Sequence, residues 1–477
     1  MARVLWTPQP KQAVFMARPE WEALYGGAAG GGKSDALVME ALRQVHIPHY
    51  KALILRKTYP QLAELIDKSL NLYPRAFPRA KYNNSTHTWT FPSGAKVVFG
   101  AMQYTRDKVK YQGQSYDFIA FDELTHFQWE EYEYLFSRCR PNGPGTRCYI
   151  RSTANPGGVG HGWVKDRFIT PAPPMTTIWE DITYPDREGK NVTVRRGRVF
   201  IPATVYDNPA LLRNSPEYVA NLAGMDKANR AALLDGDWNS FTGQVFEEWR
   251  DAPEHYMDRV RTHVIAPFHV PDQWRIYRGF DWGYSKPFSV GWYAVDHDGR
   301  LTMIRELYGC TGEPNVGVKW PPDKVAHEIR RVENEDPNLK GKRVVGIADP
   351  AIFASDGTES IASIMDRAGV FWDKGDHQRI AGKMQIHRRL AFGEDGRPRL
   401  QVFNTCRHAI RTLPGLVYSQ TDPEDVDTQG EDHIYDQLRY VCMANPMSLP
   451  PRWTPSPREF DPLETPKYDG YEFFRRY

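Results

Sequence analysis

The stretch with the most specific chemistry runs Gly27-Ala28-Ala29-Gly30-Gly31-Gly32-Lys33-Ser34 and fits the pattern G-x-x-x-x-G-K-[ST]. Apolar residues before it, at 23–25, indicate the end of a buried strand, and those after it, at 37–42, recur at helical spacing. In a strand–loop–helix unit, the backbone N–H groups of such a loop and the positive end of the helix bind a polyphosphate. We therefore predict an ATP–Mg²⁺ site, in which Lys33 reaches the β- and γ-phosphates and Ser34 ligates Mg²⁺. The loop glycines predicted to bind the phosphates are Gly27, Gly30, Gly31 and Gly32.

Two carboxylates follow a second apolar strand, Tyr116–Phe121. In phosphate-loop ATPases the first acid of such a pair holds the hydrated Mg²⁺ and the second polarises the attacking water as a general base. Asp122 is predicted to take the first role and Glu123 the second. The alternative is that both acids only cap the next helix, but a cap does not explain the strand before them.

Four weaker candidates surround these motifs. Gln12 either hydrogen-bonds the adenine edge or is a solvated helical glutamine. Arg138, with Arg140 as the alternative, is predicted to act as an arginine finger on a neighbouring subunit's γ-phosphate, or else to be an exposed helical arginine. Arg56, at the carboxyl end of a strand, contacts phosphate or DNA, or belongs to a charged loop. The run Ser152–Asn155 either senses the γ-phosphate or is an ordinary exit from a strand.

Acids also end the elements of the C-terminal half. A strand over 275–280 ends in Asp281, and two further strands, over 288–295 and 300–307, form an antiparallel meander with it. A later strand over 343–348 ends in Asp349. Asp432 and Asp436 are spaced i, i+4 and share one face of a late helix, whose opposite face is apolar.

An acid at the end of the first strand of a meander, a second acid at the end of a later strand, and further acids on a late helix are the order of elements found in RNase H-like nucleases. Carboxylates suit Mg²⁺ or Mn²⁺, and two such ions activate water and stabilise the leaving oxygen of a phosphodiester. Asp281, Asp349 and Asp436 are the core predictions, followed by Asp432. The weaker candidates are Glu306 and His433. Taken singly, each acid is explained better by a strand-end turn or a solvated helix position, and only their order favours the nuclease.

The elements that must position these groups set the fold class. A chain of 477 residues exceeds one ordinary core, and strands alternating with helices predict an α/β protein. We predict a P-loop helicase-like ATPase domain with a doubly wound, mostly parallel sheet, followed by an RNase H-like α/β nuclease domain. The predicted boundaries are 1–245 for the ATPase, 246–270 for a linker, 271–446 for the nuclease and 447–477 for a tail rich in proline and aromatic residues.

Composition narrows the classes of protein further. The net charge is only +2, so contacts with nucleic acid would have to come from local patches, such as 195–198 and 387–389, which are equally well explained as solvated faces. Five cysteines without a C-x-x-C pair predict neither a disulfide framework nor a zinc site, and favour a reducing cytosol. We expect neither a signal peptide nor a membrane-spanning segment.

The sequence of motifs resembles that of the large terminase subunit of tailed bacteriophages. The residues that carry the resemblance are Thr7–Gln12, Gly27–Ser34, Asp122-Glu123, Ser152–Asn155, Asp207–Pro209, Asp235–Trp238, Phe280–Gly283, Asp349-Pro350 and Asp432–Tyr440. One departure is a phosphate loop without an arginine, which leaves open which basic residue supplements Lys33.

The resemblance implies an ATP-driven motor that translocates double-stranded DNA into a procapsid and cleaves the DNA concatemer with a two-metal endonuclease. Its implied cofactors are ATP with Mg²⁺ and two Mg²⁺ or Mn²⁺ ions. Its implied partners are a small terminase subunit, the portal protein and further copies in a ring, a pentamer, with the tail contacting the portal. Its implied location is the host cytoplasm and transiently the portal, but not the mature virion. The alternatives are a helicase-like DNA-repair or remodelling ATPase-nuclease and an ATP-driven remodelling module without an active nuclease.

Overall fold

Two β-sheets with helices packed against them form the computed structural model, which describes residues 4–447 except 216, 226, 240, 242, 356, 358, 420, 421 and 423. The predicted tail lies outside the described residues from position 448 onward. Within the described part, none of the helices has the length and apolar composition that crossing a membrane requires.

The first sheet has nine strands and is parallel at its centre. The strands are β1 (Glu22–Gly27), β2 (Lys51–Arg56), β3 (Lys81–Asn83), β4 (Thr88–Thr90), β5 (Lys96–Ala101), β6 (Phe118–Phe121), β7 (Tyr149–Ala154), β8 (Ile178–Pro185) and β9 (Asn191–Ala203). Their order is β3-β4-β5-β2-β6-β7-β1-β9-β8, and the run from β5 to β9 pairs parallel while both edges are antiparallel. The predicted mostly parallel sheet is confirmed. The hairpin of β8 and β9 was not predicted.

Helices cover both faces of this sheet. They are α1 (Pro10–Ala17), α2 (Lys33–Glu40), α3 (Tyr59–Ala76), α4 (Trp129–Tyr134), α5 (His161–Val164), α6 (Pro209–Asn214), α7 (Glu217–Ala223) and α8 (Lys227–Arg230). Because neighbouring residues of a strand point to opposite faces, Tyr25 packs with α1, α2 and α3, whereas Leu24 packs with α4 and α5. The sheet is therefore doubly wound, as its parallel strands require.

The second sheet has seven strands and opens on an antiparallel meander. The strands are β10 (Val264–Ile265), β11 (Arg275–Asp281), β12 (Ser289–Val295), β13 (Leu301–Tyr308), β14 (Val344–Ala348), β15 (Asp373–Lys374) and β16 (Leu400–Phe403). Their order is β10-β16-β13-β12-β11-β14-β15, with β14 parallel to β11. The predicted meander and the parallel strand beside it are confirmed. The stretch 246–270, predicted to be a linker, contributes the edge strand β10, because Val264 and Ile265 are buried against β16.

Five helices accompany the second sheet: α9 (Pro322–Glu335), α10 (Ile361–Arg367), α11 (Arg379–Leu390), α12 (Arg407–Thr412) and α13 (His433–Ala444). Helix α13 lies directly on the central strands. A Cβ atom at Gly279 of β11 would be 2.5 Å from the backbone oxygen of Gln437, and one at Gly291 of β12 would be 2.6 Å from its side-chain nitrogen. Gln437 in turn donates a 2.7 Å hydrogen bond to the hydroxyl of Tyr293. Helix α13 is thus buried on more than the one apolar face that was predicted, since Gln437 and Arg439 are also buried.

Candidate functional site

The phosphate loop joins β1 to α2, in the strand–loop–helix context that was predicted. Gly27, Gly30 and Gly32 have φ angles of 121°, 75° and 71°, a region that favours glycine. The Nζ atom of Lys33 donates hydrogen bonds to the Ala28 carbonyl oxygen, at 2.5 Å, and to Asn155 Oδ1, at 2.8 Å. Burial lowers the pKa of Lys33, against the charges of Glu123 and Asp122. The ammonium group therefore lies inside the curl of the loop, where a polyphosphate would supply the missing negative charge.

Three side chains hold the loop from outside. Gln12 donates from Nε2 to the Gly32 carbonyl oxygen at 2.6 Å, and Asn208 donates from Nδ2 to the Gly30 carbonyl oxygen at 2.8 Å. The Tyr25 hydroxyl donates to the Gly31 carbonyl oxygen at 2.9 Å. Gln12 is buried, so the solvated alternative is wrong for this residue. Its contact with adenine stays a prediction.

The acid pair after β6 lies beside the loop. Asp122 is 1% exposed and accepts hydrogen bonds from Ser34 Oγ at 3.1 Å and from the Thr153 hydroxyl. It also accepts from Arg56 Nε at 2.7 Å. The two residues predicted to ligate Mg²⁺, Ser34 and Asp122, are thus brought together, and Arg56 neutralises the carboxylate.

The backbone conformation and the contacts of Glu123 suit the general-base role predicted for it. Its backbone has φ 58°, an uncommon left-handed conformation for a residue with a side chain, and its carboxylate accepts from Asn155 Nδ2 at 3.3 Å. Burial and the neighbouring charge of Asp122 raise the pKa of Glu123. A raised pKa makes this carboxylate a better proton acceptor. Asn155, from the predicted Ser152–Asn155 run, therefore contacts both Lys33 and Glu123.

Arg138 lies at the opposite end of the sheet from this site. Its carbonyl oxygen accepts a 2.9 Å hydrogen bond from the backbone of Tyr116, before the amino end of β6, whereas Asp122 follows the carboxyl end. The six residue steps from Tyr116 to Asp122 span about 20 Å. Arg138 therefore cannot reach the nucleotide site of its own chain. Its predicted action on a neighbouring subunit stays a prediction, as does that of Arg140.

The C-terminal acids approach one end of the second sheet. Asp281 ends β11, and Asp349 follows the parallel strand β14, donating its backbone N–H to Phe280 at 3.0 Å. Asp432 immediately precedes α13, and Asp436 lies in its first turn. His433 Nδ1 lies 3.1 Å from Asp281 Oδ2 and joins the helix to the strand. The predicted order of elements thus brings these acids into one neighbourhood.

The electrostatics of this neighbourhood are those of crowded carboxylates. Burial, with the charges of Asp436 and Asp349 and against the contact with His433, raises the pKa of Asp281 to about 6. Burial and the charge of Asp436 raise the pKa of Asp432 to about 8. Buried carboxylates that repel one another are stabilised by a hard divalent cation, so the chemistry of this donor set fits Mg²⁺ or Mn²⁺.

The acids have the right chemistry for a metal ion, but they lie too far apart to form a compact set of ligands in this structure. Among the residues that the structure describes, no three His, Cys, Asp or Glu side chains are close enough together to hold a metal ion. Asp436 is instead paired with Arg379 at 3.2 Å and with Arg439 at 2.9 Å. The weaker candidate Glu306 is placed elsewhere, since it accepts from the backbone N–H groups of His408 and Ala409 at the start of α12.

Residues 24–249 match the model of the N-terminal part of terminase large subunits of the T4likevirus type. The match covers just under half of the chain, and this N-terminal part is similar to large terminase subunits. Comparison with curated proteins gives no match.

Solved structures of large terminases are similar at low identity. One from a thermophilic bacteriophage is 15% identical, with 91% of this chain and 98% of that chain covered and a TM-score of 0.39. That of bacteriophage HK97 is 12% identical, with coverages of 92% and 94% and a TM-score of 0.44. The nuclease domain of the P22 large terminase is 17% identical, with coverages of 43% and 92% and a TM-score of 0.31.

Several residues of the two candidate sites were not predicted. Asn208, which holds the phosphate loop, was noted only as part of a motif, and Arg379 and Asp425 were not noted at all. The run 387–389, considered as a contact for DNA, is unsuited to that role at Arg389, which is buried. No short motif surrounds these residues, so only burial and pairing across the fold could have identified them.

The pair of Arg56 and Asp122 gives a testable consequence for stability. Arg56→Met leaves a buried carboxylate without its cation, and we expect the free energy of unfolding to fall by about 2 kcal/mol. Adding Mg²⁺–ADP should reduce the difference, because the nucleotide complex brings a new cation to Asp122. Urea denaturation followed by circular dichroism measures both effects. Arg75→Met, at an exposed position of α3, is the control, and equal stability of the two variants would contradict this role of Arg56.

Proposed function

We propose that this chain is a large terminase subunit, an ATP-driven motor that moves double-stranded DNA into a procapsid and cuts the DNA with its C-terminal domain. The motor function is supported mainly by a group of hydrogen-bonded side chains at the carboxyl ends of β1, β6 and β7. Lys33, Asn155 and Glu123 form one connected part of it, and Ser34 and Asp122 form the other. A strand-end set that combines a phosphate-binding lysine, a metal-binding pair and a base has all the parts that phosphoryl transfer to water needs.

In the proposed ATPase step, the backbone N–H groups of the phosphate loop and Lys33 bind the β- and γ-phosphates. Ser34 and Asp122 would hold Mg²⁺, which neutralises charge on the phosphate oxygens. Glu123, with its raised pKa, accepts the proton of the attacking water. Asn155 contacts both Lys33 and Glu123, so it is placed to respond when the γ-phosphate leaves.

In the proposed nuclease step, Asp281, Asp349, Asp432 and Asp436 would hold two Mg²⁺ or Mn²⁺ ions. Such ions supply an activated water and stabilise the leaving oxygen of the phosphodiester. His433 orients Asp281 through their 3.1 Å contact, and its own Nε2 is fixed by Asn315 Oδ1 at 3.0 Å. The strand acid is therefore held at a set position while the helix acids approach from α13.

The partners proposed for this chain come from the family. They are double-stranded DNA, a small terminase subunit and the portal protein, on which several copies assemble as a ring, a pentamer. In that ring Arg138 acts on the nucleotide site of a neighbouring copy. We place the activity in the host cytoplasm and transiently at the portal, with the protein absent from the mature virion, and propose that the tail, 447–477, contacts the portal.

One preparation of the full-length protein tests both activities. We expect ATP turnover with Mg²⁺, and conversion of supercoiled plasmid to open and linear forms with Mn²⁺. Absence of ATP turnover would contradict the motor. ATP turnover without any cutting, in either metal, would favour the alternative of a remodelling ATPase whose C-terminal acids are structural, which the lack of a close three-ligand group among the described residues also favours.

A further inference from the structure

An arginine from outside the predicted motifs lies among the acids of the second sheet. Arg379 is the first residue of α11. Its Nε atom lies 2.6 Å from Asp425 Oδ2, and its Nη1 atom lies 3.2 Å from Asp436 Oδ1. Its Nη2 atom lies 4.0 Å from Asp432 Oδ2. One guanidinium thus contacts three carboxylates, and two of them, Asp432 and Asp436, are predicted metal ligands.

These three contacts differ in quality. The 2.6 Å contact with Asp425 is a short charge-assisted hydrogen bond. The 4.0 Å contact with Asp432 is too long for a hydrogen bond, and Nη2 is buried without a hydrogen-bond partner among the described residues. Asp436, in addition, has a second cation, because Arg439 binds it at 2.9 Å. The guanidinium can therefore leave Asp432 and Asp436 at small cost while Asp425 still holds it.

A metal ion and this guanidinium require the same oxygen atoms. Both are cationic partners for Asp432 and Asp436, and both relieve the repulsion between these buried carboxylates. A divalent cation bound to these carboxylates would repel the guanidinium beside it, so metal binding and the contacts of Arg379 with Asp432 and Asp436 oppose each other. The ion pairs of Arg379 also give a physical reason why the acids are neighbours without forming a close three-ligand group among the described residues.

We propose that Arg379 takes the place of the divalent cation on Asp432 and Asp436 before metal binds, and that metal binding moves its guanidinium off these carboxylates while Asp425 retains it. The inference rests on the nuclease function proposed above. It makes Arg379 a positioning residue that sets the metal affinity of the site.

Calorimetric titration of the full-length protein with Mn²⁺, without DNA or nucleotide, tests this competition directly. The heat that disappears in Asp281→Asn identifies binding at the nuclease site. We expect Arg379→Gln to bind Mn²⁺ roughly tenfold more tightly than the unchanged protein, because a partly buried competing charge is removed. Arg379→Lys keeps the charge but loses the fork of guanidinium donors, so its Mn²⁺ affinity should lie between those of Arg379→Gln and the unchanged protein. Arg388→Gln, on the same helix and outside the group of acids, is the matched control and should leave the affinity unchanged.

Equal or weaker Mn²⁺ binding by Arg379→Gln and Arg379→Lys would overturn the inference, because a cation that only supports the carboxylates would lower the affinity when removed. Plasmid cutting over a range of Mn²⁺ concentrations separates this failure from failure of the nuclease itself. Cutting by Arg379→Gln, Arg379→Lys and the unchanged protein at the same half-maximal Mn²⁺ concentration would refute the role of Arg379 and leave the nuclease standing. No cutting by the unchanged protein at any Mn²⁺ concentration would remove both.

Discussion

Glu123→Gln is expected to lower ATP turnover on the order of 10³-fold, the size of effect that loss of a positioned general base produces. Glutamine keeps the shape of the side chain and can still contact Asn155, but it cannot accept the proton of the attacking water. Because Glu123 makes none of the contacts that hold the phosphate loop, nucleotide affinity should stay within a few-fold of the original. Steady-state phosphate release measures turnover, and equilibrium titration with a fluorescent ATP analogue measures binding.

Two further variants serve as controls for the turnover of Glu123→Gln. Glu130→Gln changes an exposed carboxylate on α4 and should leave turnover unaltered. Lys33→Ala should lose nucleotide affinity together with turnover, because Lys33 lies inside the phosphate loop. Turnover by Glu123→Gln within a few-fold of the original would exclude Glu123 as the base and direct attention to other acids at the carboxyl edge of the first sheet.

Asp281→Asn is expected to lower Mn²⁺-dependent plasmid cutting by more than about 100-fold, since even the loss of a group that only supports a metal ligand costs 10- to 100-fold. Asparagine can still accept a hydrogen bond from His433, so the contact between β11 and α13 should survive and the fold should be retained. Gel assays with supercoiled plasmid measure cutting, and circular dichroism verifies the fold. ATP turnover, measured on the same sample, should be unchanged.

The control for this variant is Asp298→Asn, in the exposed turn between β12 and β13. It removes one carboxylate from the same domain at a distance from the acids that approach α13, and it should cut plasmid as the original does. Unchanged cutting by Asp281→Asn would place the reacting phosphate elsewhere and would make the acids of the second sheet structural.

The ATPase site could be predicted from sequence because its parts are local. The phosphate loop carries its own strand, glycines and helix start within a short stretch, and Asp122-Glu123 follow an apolar strand directly. The mostly parallel sheet followed from the same strands. The end of β7 did not, since the run Ser152–Asn155 was interpreted as the exit from a strand, whereas β7 runs over Tyr149–Ala154, so that Thr153 lies within the strand and beside Asp122.

Other features depend on pairing between distant parts of the chain, which no local pattern records. The hairpin of β8 and β9 is exposed over Ile178–Pro185 and over most of the residues that face it, and this part has no apolar run. The apolar, buried part of β9 is confined to its end, residues 199–203, beside β1. Arg379 begins a helix of ordinary composition, and its three carboxylate partners come from positions 425–436. Sequence alone could place the acids on their elements but could not show which cations would bind them.

Two glycines under helix α13 affect how closely the acids of the second sheet can approach one another. Gly279 and Gly291 allow α13 to rest on the sheet with Gln437 pressed against both strands. The same helix carries Asp436, and the same strand β11 ends in Asp281, so backbone contact limits how far the gap between these carboxylates can vary. Ligand distances at metal centres tolerate only about 0.2 Å of error. Two residues without side chains thus help to fix the spacing of the carboxylates that are proposed to bind metal.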